Sequence, residues 1–337
     1  MTQNIGTDAQ SHLGYCGLTE ESSYGGGGAP SVFLPINSDG FSMENGVLFN
    51  SNIRGRSRFD GTAGVFEDDG SVEMVAGPEN GLGYLLKGAF GSTSVVTSDS
   101  DGDSADDTGE HTFSTDNKLP SYAVEIGLGA IDSLRHKGVG IGSLEISHTP
   151  EEYLMVSADM NAQEPELQGT QASPTYSDAR PFVWHDGTIN LDGTDRSVDV
   201  AEFTSTIDND LDEKIRGSRT PAKCHVGERA VSGSLNLDFE NTNAMQLFLG
   251  GASATTVQDA LYKASLNCKW ISPENTVTGG STAYSLELDL PNIILATDEA
   301  QVNEQDAIIE NIGWEAEDTA STYDIQATLV NSQTSAY

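Results

Sequence analysis

Basic residues are scarce in this chain of 337 residues. Lys and Arg together number 16 against 52 Asp and Glu, so the formal net charge at pH 7 is −36. Proteins bind nucleic acid largely by neutralising phosphates with Lys and Arg, and anionic membrane surfaces attract the same residues. The charge balance therefore excludes a nucleic-acid-binding protein and a protein that docks on a lipid surface.

Cysteines and long apolar runs are few as well. Cys16, Cys224 and Cys268 are odd in number and far apart, which predicts buried thiols rather than a disulfide framework or a CxxC metal site. No window approaches the roughly 18 apolar residues of a membrane span, and no apolar stretch follows Met1 as in a secretory signal. We expect no membrane anchor and a protein that is made or assembled inside a cell.

Catalytic motifs are also lacking. No pair of histidines has the HxxxH or HExxH spacing of a zinc enzyme, and there is no GxSxG nucleophile elbow. The glycines at 138, 140 and 142 lie in a strand pattern rather than before a helix, which indicates a kinked strand. We predict no enzyme and no cofactor; a hydrolase whose triad assembles only in space is a low-ranked alternative.

The remaining composition supports a folded protein. Apolar residues make up 36% of the chain, and 3 Trp, 10 Tyr and 11 Phe supply material for a core. The excess carboxylates would repel one another in dilute buffer, but at about 1 M salt the Debye length falls to about 3 Å. The charge thus predicts a halophilic host with molar intracellular salt. An acidic protein from an ordinary cell is the alternative.

Four short matches relate the two halves of the chain at an offset of about 162 residues. They pair Ile53-Arg54-Gly55 with Ile215-Arg216-Gly217, Gly70-Ser71-Val72 with Gly233-Ser234-Leu235, residues 85–88 with 247–250, and residues 121–128 with 283–290. Self-similarity at one offset indicates a duplicated domain. It predicts an extended N-terminal arm at 1–31 with a hinge at 25–28, a first domain at 32–165, a linker at 166–180 and a second domain at 181–337.

Local patterns within each half are mostly those of strands. Apolar residues alternate with smaller or polar ones at 122–128, 235–239 and 323–329. The apolar phase slips at Gly142, where a β-bulge is predicted. One short helix is expected in each half, at 78–90 and after a cap at Asn241 or Thr242. The predicted fold class is mainly β, with two tandem antiparallel sandwich or barrel domains and one flanking helix on each.

One acidic segment has the spacing of a cation-binding loop. Asp99, Asp101 and Asp103 alternate, and Glu110 falls at the twelfth position, as in an EF-hand loop. The glycine is misplaced, because Gly102 stands at position four, and no helices flank the segment. A solvated acidic loop between two strands is the preferred interpretation, with a site for Ca²⁺ or another hard cation as the alternative.

The few cations cluster in two equivalent segments. The set is Arg54, Arg56, Arg58, Lys214, Arg216 and Arg219. In so acidic a chain, clustered cations on loops predict contact with an acidic surface, and the most available one is another copy of the same protein. Arginine pairs with carboxylates in a bidentate fashion, which suits such a contact. Local pairing within each subunit is the alternative.

Three stretches together resemble the major tail tube proteins of long-tailed, non-contractile viruses. They are the lead-in at 17–25 with Phe33-Leu34-Pro35, the segment from His111 to Ser121, and Ile207-Asp-Asn209-Asp-Leu211 with the following residues to Leu235. The resemblance implies tail-tube-like domains whose strands join those of neighbouring subunits in an inner barrel. It also implies long loops, near 42–62 and 205–228, that reach the adjacent ring.

The resemblance also implies a function. Rings of this chain would stack into a tube through which the genome passes, with DNA sliding past an acidic lumen without specific binding. Because relatives with one domain form hexameric rings, three duplicated chains per ring are preferred, with six as the alternative. The protein would assemble in the host cytoplasm, a haloarchaeal one given the charge, and would meet other tail proteins at the tube ends. A capsid or surface-layer component is the competing structural role.

Overall fold

Alternating apolar and polar residues form antiparallel strands through most of the chain. The computed structural model describes residues 11–51, 55–129, 131–300, 302, 308–319 and 321–337. The strands up to residue 168 are β1 (Tyr15–Glu20), β2 (Val32–Leu34), β3 (Ile36–Asp39), β4 (Ser42–Asn50), β5 (Phe59–Val75), β6 (Gly91–Ser98), β7 (Thr108–Thr115), β8 (Tyr122–Leu128), β9 (Asp132–His148), β10 (Met155–Ala162) and β11 (Glu164–Gln168).

The later strands complete two layers, and two short helices flank them. The strands are β12 (Gly187–Leu191), β13 (Thr194–Asp195), β14 (Val200–Asp208), β15 (Leu211–Lys214), β16 (Lys223–Val226), β17 (Ala230–Asp238), β18 (Ala264–Asn275), β19 (Ala283–Ala300), β20 (Ile309–Ala316) and β21 (Gln326–Asn331). The helices are α1 (Leu82–Phe90) and α2 (Asn243–Phe248). The mainly β, antiparallel fold with two short helices is thereby confirmed.

One antiparallel sheet runs through both halves of the chain, and we call it the long sheet. Its strand order is β4–β5–β10–β9–β14–β17–β20–β19, with β3 beside β4 on the same side of β5. β9 and β14 join the halves, from Phe203 opposite His148 to Asp208 opposite Ser143.

The first parts of β9 and β19 leave the long sheet and carry an outer layer. That part of β9 lies between β8 and β11, with β1 and β2 beyond β8. That part of β19 lies between β18 and β21, with β12 beyond β18, and β7 and β6 beyond β21. At the bend of β9, Gly138 has a φ of 63°, which an L side chain rarely adopts. The kink predicted from the glycine run is therefore present.

A single hydrophobic cluster contains residues of both halves. Trp270, Trp314 and Phe113 are among its largest fully buried side chains. α1 packs on β9, β7 and β6, and α2 packs on β19. Because β7 also pairs with β21, the two halves share both a core and two strand junctions. The division into tandem domains with the boundaries given above stays a prediction.

The pairing pattern of the long sheet occurs twice, including its irregularities. β5 lies between β3/β4 and β10, and β17 lies between β14 and β20 in the same way. Gly142 is an extra residue opposite β10, as predicted, and Ala296, which is 154 residues later, is an extra residue opposite β20. Asn37 on β3 and Ala201 on β14, 164 residues apart, are also extra residues. The two halves of the long sheet are therefore equivalent strand by strand.

This equivalence corrects one of the four sequence matches. Gly70–Val72 and Gly233–Leu235 lie on the equivalent strands β5 and β17. Tyr122, however, lies on β8, whereas Tyr284 lies on β19, which takes the place of β9 in the second half. The shared residues reflect the alternation common to any half-buried strand.

Part of the predicted N-terminal arm is a strand of the outer layer. β1 lies between β2 and β8, and its Cys16 and Leu18 are fully buried. The apolar pattern of β1 is too short to distinguish a buried strand from an extended polar arm by sequence alone.

Glu21 holds the glycine-rich segment that the sequence suggested as a hinge. Its buried carboxylate accepts hydrogen bonds from the backbone N–H groups of Gly25 (2.9 Å), Gly27 (2.8 Å) and Gly138 (3.1 Å). The Ser121 hydroxyl donates to the same carboxylate at 2.8 Å. Charge-assisted bonds of this kind are among the stronger ones in proteins. The segment is thus a turn fixed to the bend of β9 rather than a hinge.

Substituting Glu21→Gln should destabilise the fold, because an amide nitrogen would then face backbone donors. We expect the free energy of unfolding to fall by about 1–3 kcal/mol, measured by denaturant titration with tryptophan fluorescence. The matched control is Glu20→Gln, which removes only the half-exposed ion pair with Lys87 and should cost less than about 1 kcal/mol. Equal losses in both variants would contradict the role given to Glu21.

Candidate assembly surface

The long sheet has one apolar face and one polar face. Side chains that point to the core include Leu144, Ile207 and Leu235, each exposed by 3% or less. The alternate positions, which we call the polar face, carry Ser, Thr and Asn together with acidic residues that include those at 73, 145, 159, 202, 208, 299 and 315. The alternation follows the two-residue period of a strand with one solvated side.

Hydroxyl groups link neighbouring strands across the polar face. The Ser143 hydroxyl donates to the Asp159 carboxylate at 2.9 Å, and the hydroxyls of Thr204 and Ser234 lie 2.8 Å apart. Neither Lys nor Arg occurs in β4, β5, β10, β14, β17, β19 or β20, nor in β9 beyond residue 139. The polar face therefore offers a broad hydroxyl and carboxylate surface without a cation on its strands.

The long sheet ends in two edges that have no further strand among the described residues. One edge is β4 with β3, and the other is the end of β19 from residue 295 to 300. A sheet edge presents backbone N–H and C=O groups that are free to pair with another chain. These edges are the places where the sheet can continue into a second molecule.

The hairpin formed by β4 and the first part of β5 is unusually exposed. Met43, Val47, Leu48 and Phe49 on β4 are exposed by 45 to 64%. Large apolar side chains that are concentrated on one exposed hairpin are typical of surfaces that bind another molecule. The hairpin lies in the segment 42–62 that the sequence suggested as an assembly loop.

Three of the predicted contact cations have partners within the chain. The Arg58 guanidinium lies 5.1 Å from the centre of the Phe49 ring, and Lys214 pairs with Asp212 on the same strand. Arg219 donates to the Gly64 carbonyl at 2.8 Å and to Asn45 Oδ1 at 2.7 Å. These contacts follow the alternative of local pairing.

Two of the other three cations behave differently. Arg56 and Arg216 are exposed, and neither has an ion-pair partner in the part of the chain that the structure describes. Arg54 lies outside the described residues. Since Arg219 ties the 215–222 loop to the β4–β5 hairpin, the two segments that carry the cations lie side by side. Their role in contact between subunits stays a prediction.

The acidic segment is a loop between β6 and β7, as the preferred interpretation had it. The Asp99 carboxylate accepts hydrogen bonds from the N–H groups of Gly102 (2.6 Å) and Ser104 (2.8 Å), which lower its pKa. Asp101 and Asp103 accept similar bonds from residues two positions on. The loop's own backbone thus satisfies carboxylates that a cation would otherwise bind.

The structure also changes which carboxylates lie together. One oxygen each of Asp99, Asp101 and Asp107 fall within 4.8 Å of one another. Glu110 lies on β7 opposite Val96 and is not part of this group, nor is Asp103. The EF-hand spacing is therefore not reproduced in space.

Two acidic side chains meet at the β19 edge. Glu310 on β20 is only 2% exposed, and burial, together with the nearby carboxylate of Asp298 on β19, raises its pKa to about 7. Burial also raises the pKa of Asp298, while Arg196 favours the charged form of Glu310. Sequence alone gives no signal for this pair, because the two residues meet only through the register of β19 and β20.

A β-sandwich with open edges and an exposed apolar hairpin has the features of a structural protein that assembles. Residues 8–316 match the phage tail tube protein family, and the chain belongs to this family. It is a structural component of a viral tail, which confirms the resemblance drawn from the sequence at the level of the family. A search of curated proteins finds no match. Within the described residues, no helix is long and apolar enough to cross a membrane.

Glu310 should make stability depend on pH. Its pKa in the folded chain exceeds that of an unfolded glutamate, so the folded state binds the extra proton and loses stability as pH rises toward 7. For one proton the slope approaches about 1 kcal/mol per pH unit between about pH 5 and 7. Relative to the unaltered chain, Glu310→Gln should therefore gain stability as pH rises, measured by denaturant titration at several pH values.

The matched control is Glu315→Gln, an exposed position on the same strand. It leaves the Asp298–Glu310 pair intact, so it should not reproduce the gain expected for Glu310→Gln. If Glu310→Gln and Glu315→Gln gave parallel profiles, the raised pKa of Glu310 would be wrong.

Proposed function

We propose that this protein forms rings that stack into a tail tube and that the polar face of the long sheet lines the lumen. The carrying observation is the absence of Lys and Arg from the strands of that face. Double-stranded DNA binds proteins mainly through cations that neutralise its phosphates. A wall of hydroxyls and carboxylates repels phosphate and offers no such contact, so DNA passes without sticking.

The opposite face of the long sheet cannot serve as the lumen. It buries the apolar core together with both helices. The tube wall would therefore have the long sheet inside and the outer layer outside, with most of the −36 net charge facing solvent. Such charge is tolerable in molar salt, which fits a haloarchaeal host.

The ring would contain three chains, with six as the alternative. The long sheet contains two equivalent groups of four strands, so each chain supplies what two single-domain subunits would supply. Three chains then give a ring with pseudo-sixfold symmetry, in keeping with the tandem domains at 32–165 and 181–337. Closed rings also remove the exposed edges that make an open sheet prone to aggregation.

Stacking of rings would use the two chain segments that carry Arg54, Arg56, Arg58, Lys214, Arg216 and Arg219. Arg56 and Arg216 are the most available for a neighbouring ring, because both are exposed. The tube would belong to a long, non-contractile tail of the siphovirus type. It would assemble in the host cytoplasm, meet other tail proteins at its ends and deliver the genome.

Electron microscopy of the purified protein in molar salt tests the tube directly. We expect tubes of uniform width with a central channel, and averaged views along the axis with three chains per ring. Native mass spectrometry of rings released from the tube should give a mass of three chains. Sheets, closed shells or persistent monomers would contradict the proposal and favour a surface-layer or capsid role.

Reversing charge at the two exposed arginines should block stacking but leave rings intact. The variant is Arg56→Glu with Arg216→Glu, and tube length in micrographs is the measurement. The control is Lys118→Glu with Lys263→Glu, which changes the net charge equally at exposed cations elsewhere and should leave tube length unchanged. Normal tubes from the arginine variant would show that these residues do not join rings.

A further inference from the structure

We infer that neighbouring subunits join by pairing residues Thr297–Ala300 of β19 with Phe41–Glu44 of a second copy, antiparallel and with Glu299 opposite Ser42. This inference rests on the proposed function, because it names the contact that closes the ring. Each open edge of the long sheet then pairs with another copy of this chain.

The pattern for this contact lies inside the chain, at the junction of β9 and β14. There Ser143 pairs with Asp208, Leu144 with Ile207, and Glu145 with Thr206. The junction holds the two equivalent halves of the long sheet together. The end of β19 is equivalent to β9, and the edge formed by β3 and β4 is equivalent to β14. These two edges, on neighbouring copies of the chain, can therefore pair in the same way.

The bulges set the correspondence between the two halves. Gly142 and Ala296 align β9 with β19 at an offset of 154, so 143–146 corresponds to 297–300. Asn37 and Ala201 align β3 and β4 with β14 at an offset of 164, so 205–208 corresponds to 41–44. Transferring the pairing of β9 with β14 to these residues places Glu299 opposite Ser42 and Thr297 opposite Glu44.

The side chains at the two junctions are chemically alike. The run Thr206-Ile-Asp at the end of β14, followed by Asn209, corresponds to Ser42-Met-Glu-Asn45. Both runs have hydroxyl, apolar, acidic and amide side chains in that order. On the partner strands, Ser143 and Glu145 correspond to Thr297 and Glu299. Each hydroxyl therefore again faces a carboxylate, as the Thr206 hydroxyl does at 3.4 Å from Glu145.

Side chains at the open β4 edge are more exposed than their equivalents on β14, as expected if the β4 edge lacks a neighbouring strand. Ile207 is 3% exposed within its junction, whereas the corresponding Met43 is 52% exposed. Asn209 is fully enclosed and donates from its side chain to the carbonyls of Ala89 and Ile141, whereas Asn45 is exposed. A second copy at this edge would cover Met43 and leave the hydroxyl and acidic positions on the lumen side.

Two positions depart from the pattern. Phe41, which stacks on the His136 ring, stands where β14 has Ser205. Asp298 stands where β9 has Leu144, and it faces Glu310 on the neighbouring strand. In the inferred contact Met43 of the second copy packs over Asp298. That cover removes water from a carboxyl group that burial already shifts toward its neutral form.

A disulfide between Ser42→Cys and Glu299→Cys tests the register. Asn209 N donates to the Gly142 carbonyl at 2.8 Å. Because hydrogen-bonded pairs alternate in an antiparallel ladder, Glu145 and Thr206 form a non-hydrogen-bonded pair, with Cα atoms about 4.5 Å apart. The equivalent positions 299 and 42 therefore lie at a distance that a disulfide can bridge.

The experiment uses the full chain carrying Cys224→Ser, since Cys16 and Cys268 are fully buried. After mild oxidation of tubes in molar salt, denaturing gels without reductant should show dimers and trimers of the double variant. The offset control pairs Glu299→Cys with Met43→Cys, whose side chains would point to opposite faces. It should give roughly tenfold less product, because its sulfur atoms point apart.

Mixing the two single-cysteine chains keeps the test valid if the double variant fails to assemble. An equimolar mixture of Ser42→Cys chains and Glu299→Cys chains should give dimers and nothing larger, because each chain holds one reactive thiol. If micrographs show rings but the in-register pair links no better than the offset pair, the inferred contact is wrong and the ring proposal stands. If the unaltered protein forms no rings, the proposed function fails and the contact fails with it.

Discussion

Backbone hydrogen bonding at the edges of the long sheet is the constraint on which this structure depends. Inside the chain, β9 and β14 satisfy one another, and the two halves share a continuous sheet and core. At β4 and at the end of β19 the same kinds of strand lack a partner among the described residues. A monomer with two such edges presents backbone N–H and C=O groups that a further strand could pair, since every antiparallel strand can pair on both sides.

The different chemistry of the two faces of the long sheet follows from the two-residue period of a strand. One face gathers the apolar residues that bind the helices and the outer layer, and the other keeps hydroxyls and carboxylates in water. Because the chain belongs to the tail tube protein family, the chemistry of the two faces can be related to a function. A surface with neither Lys nor Arg on its eight strands, with β9 counted beyond residue 139, is poorly suited to binding DNA and well suited to letting it pass.

Much of the fold could be predicted from the sequence because it rests on local patterns. The alternation of strands, the bulge at Gly142 and the start of α2 after Thr242, where the Asn241 side chain accepts a hydrogen bond from the Asn243 N–H, are each specified by neighbouring residues. The buried strand β1, the role of Glu21 and the Asp298–Glu310 pair could not, because they depend on residues brought together from distant segments. The acidic segment shows the same limit, since Asp107 takes the place that spacing gave to Glu110.

We propose that the polar face of the long sheet lines the channel of a tube. A cryo-EM map of tubes assembled in molar salt measures this most directly. We expect β9, β14, β17 and β20 to face the channel, with the strands of the outer layer on the outside. A map in which the channel is lined by the outer layer, or one with no channel, would contradict it.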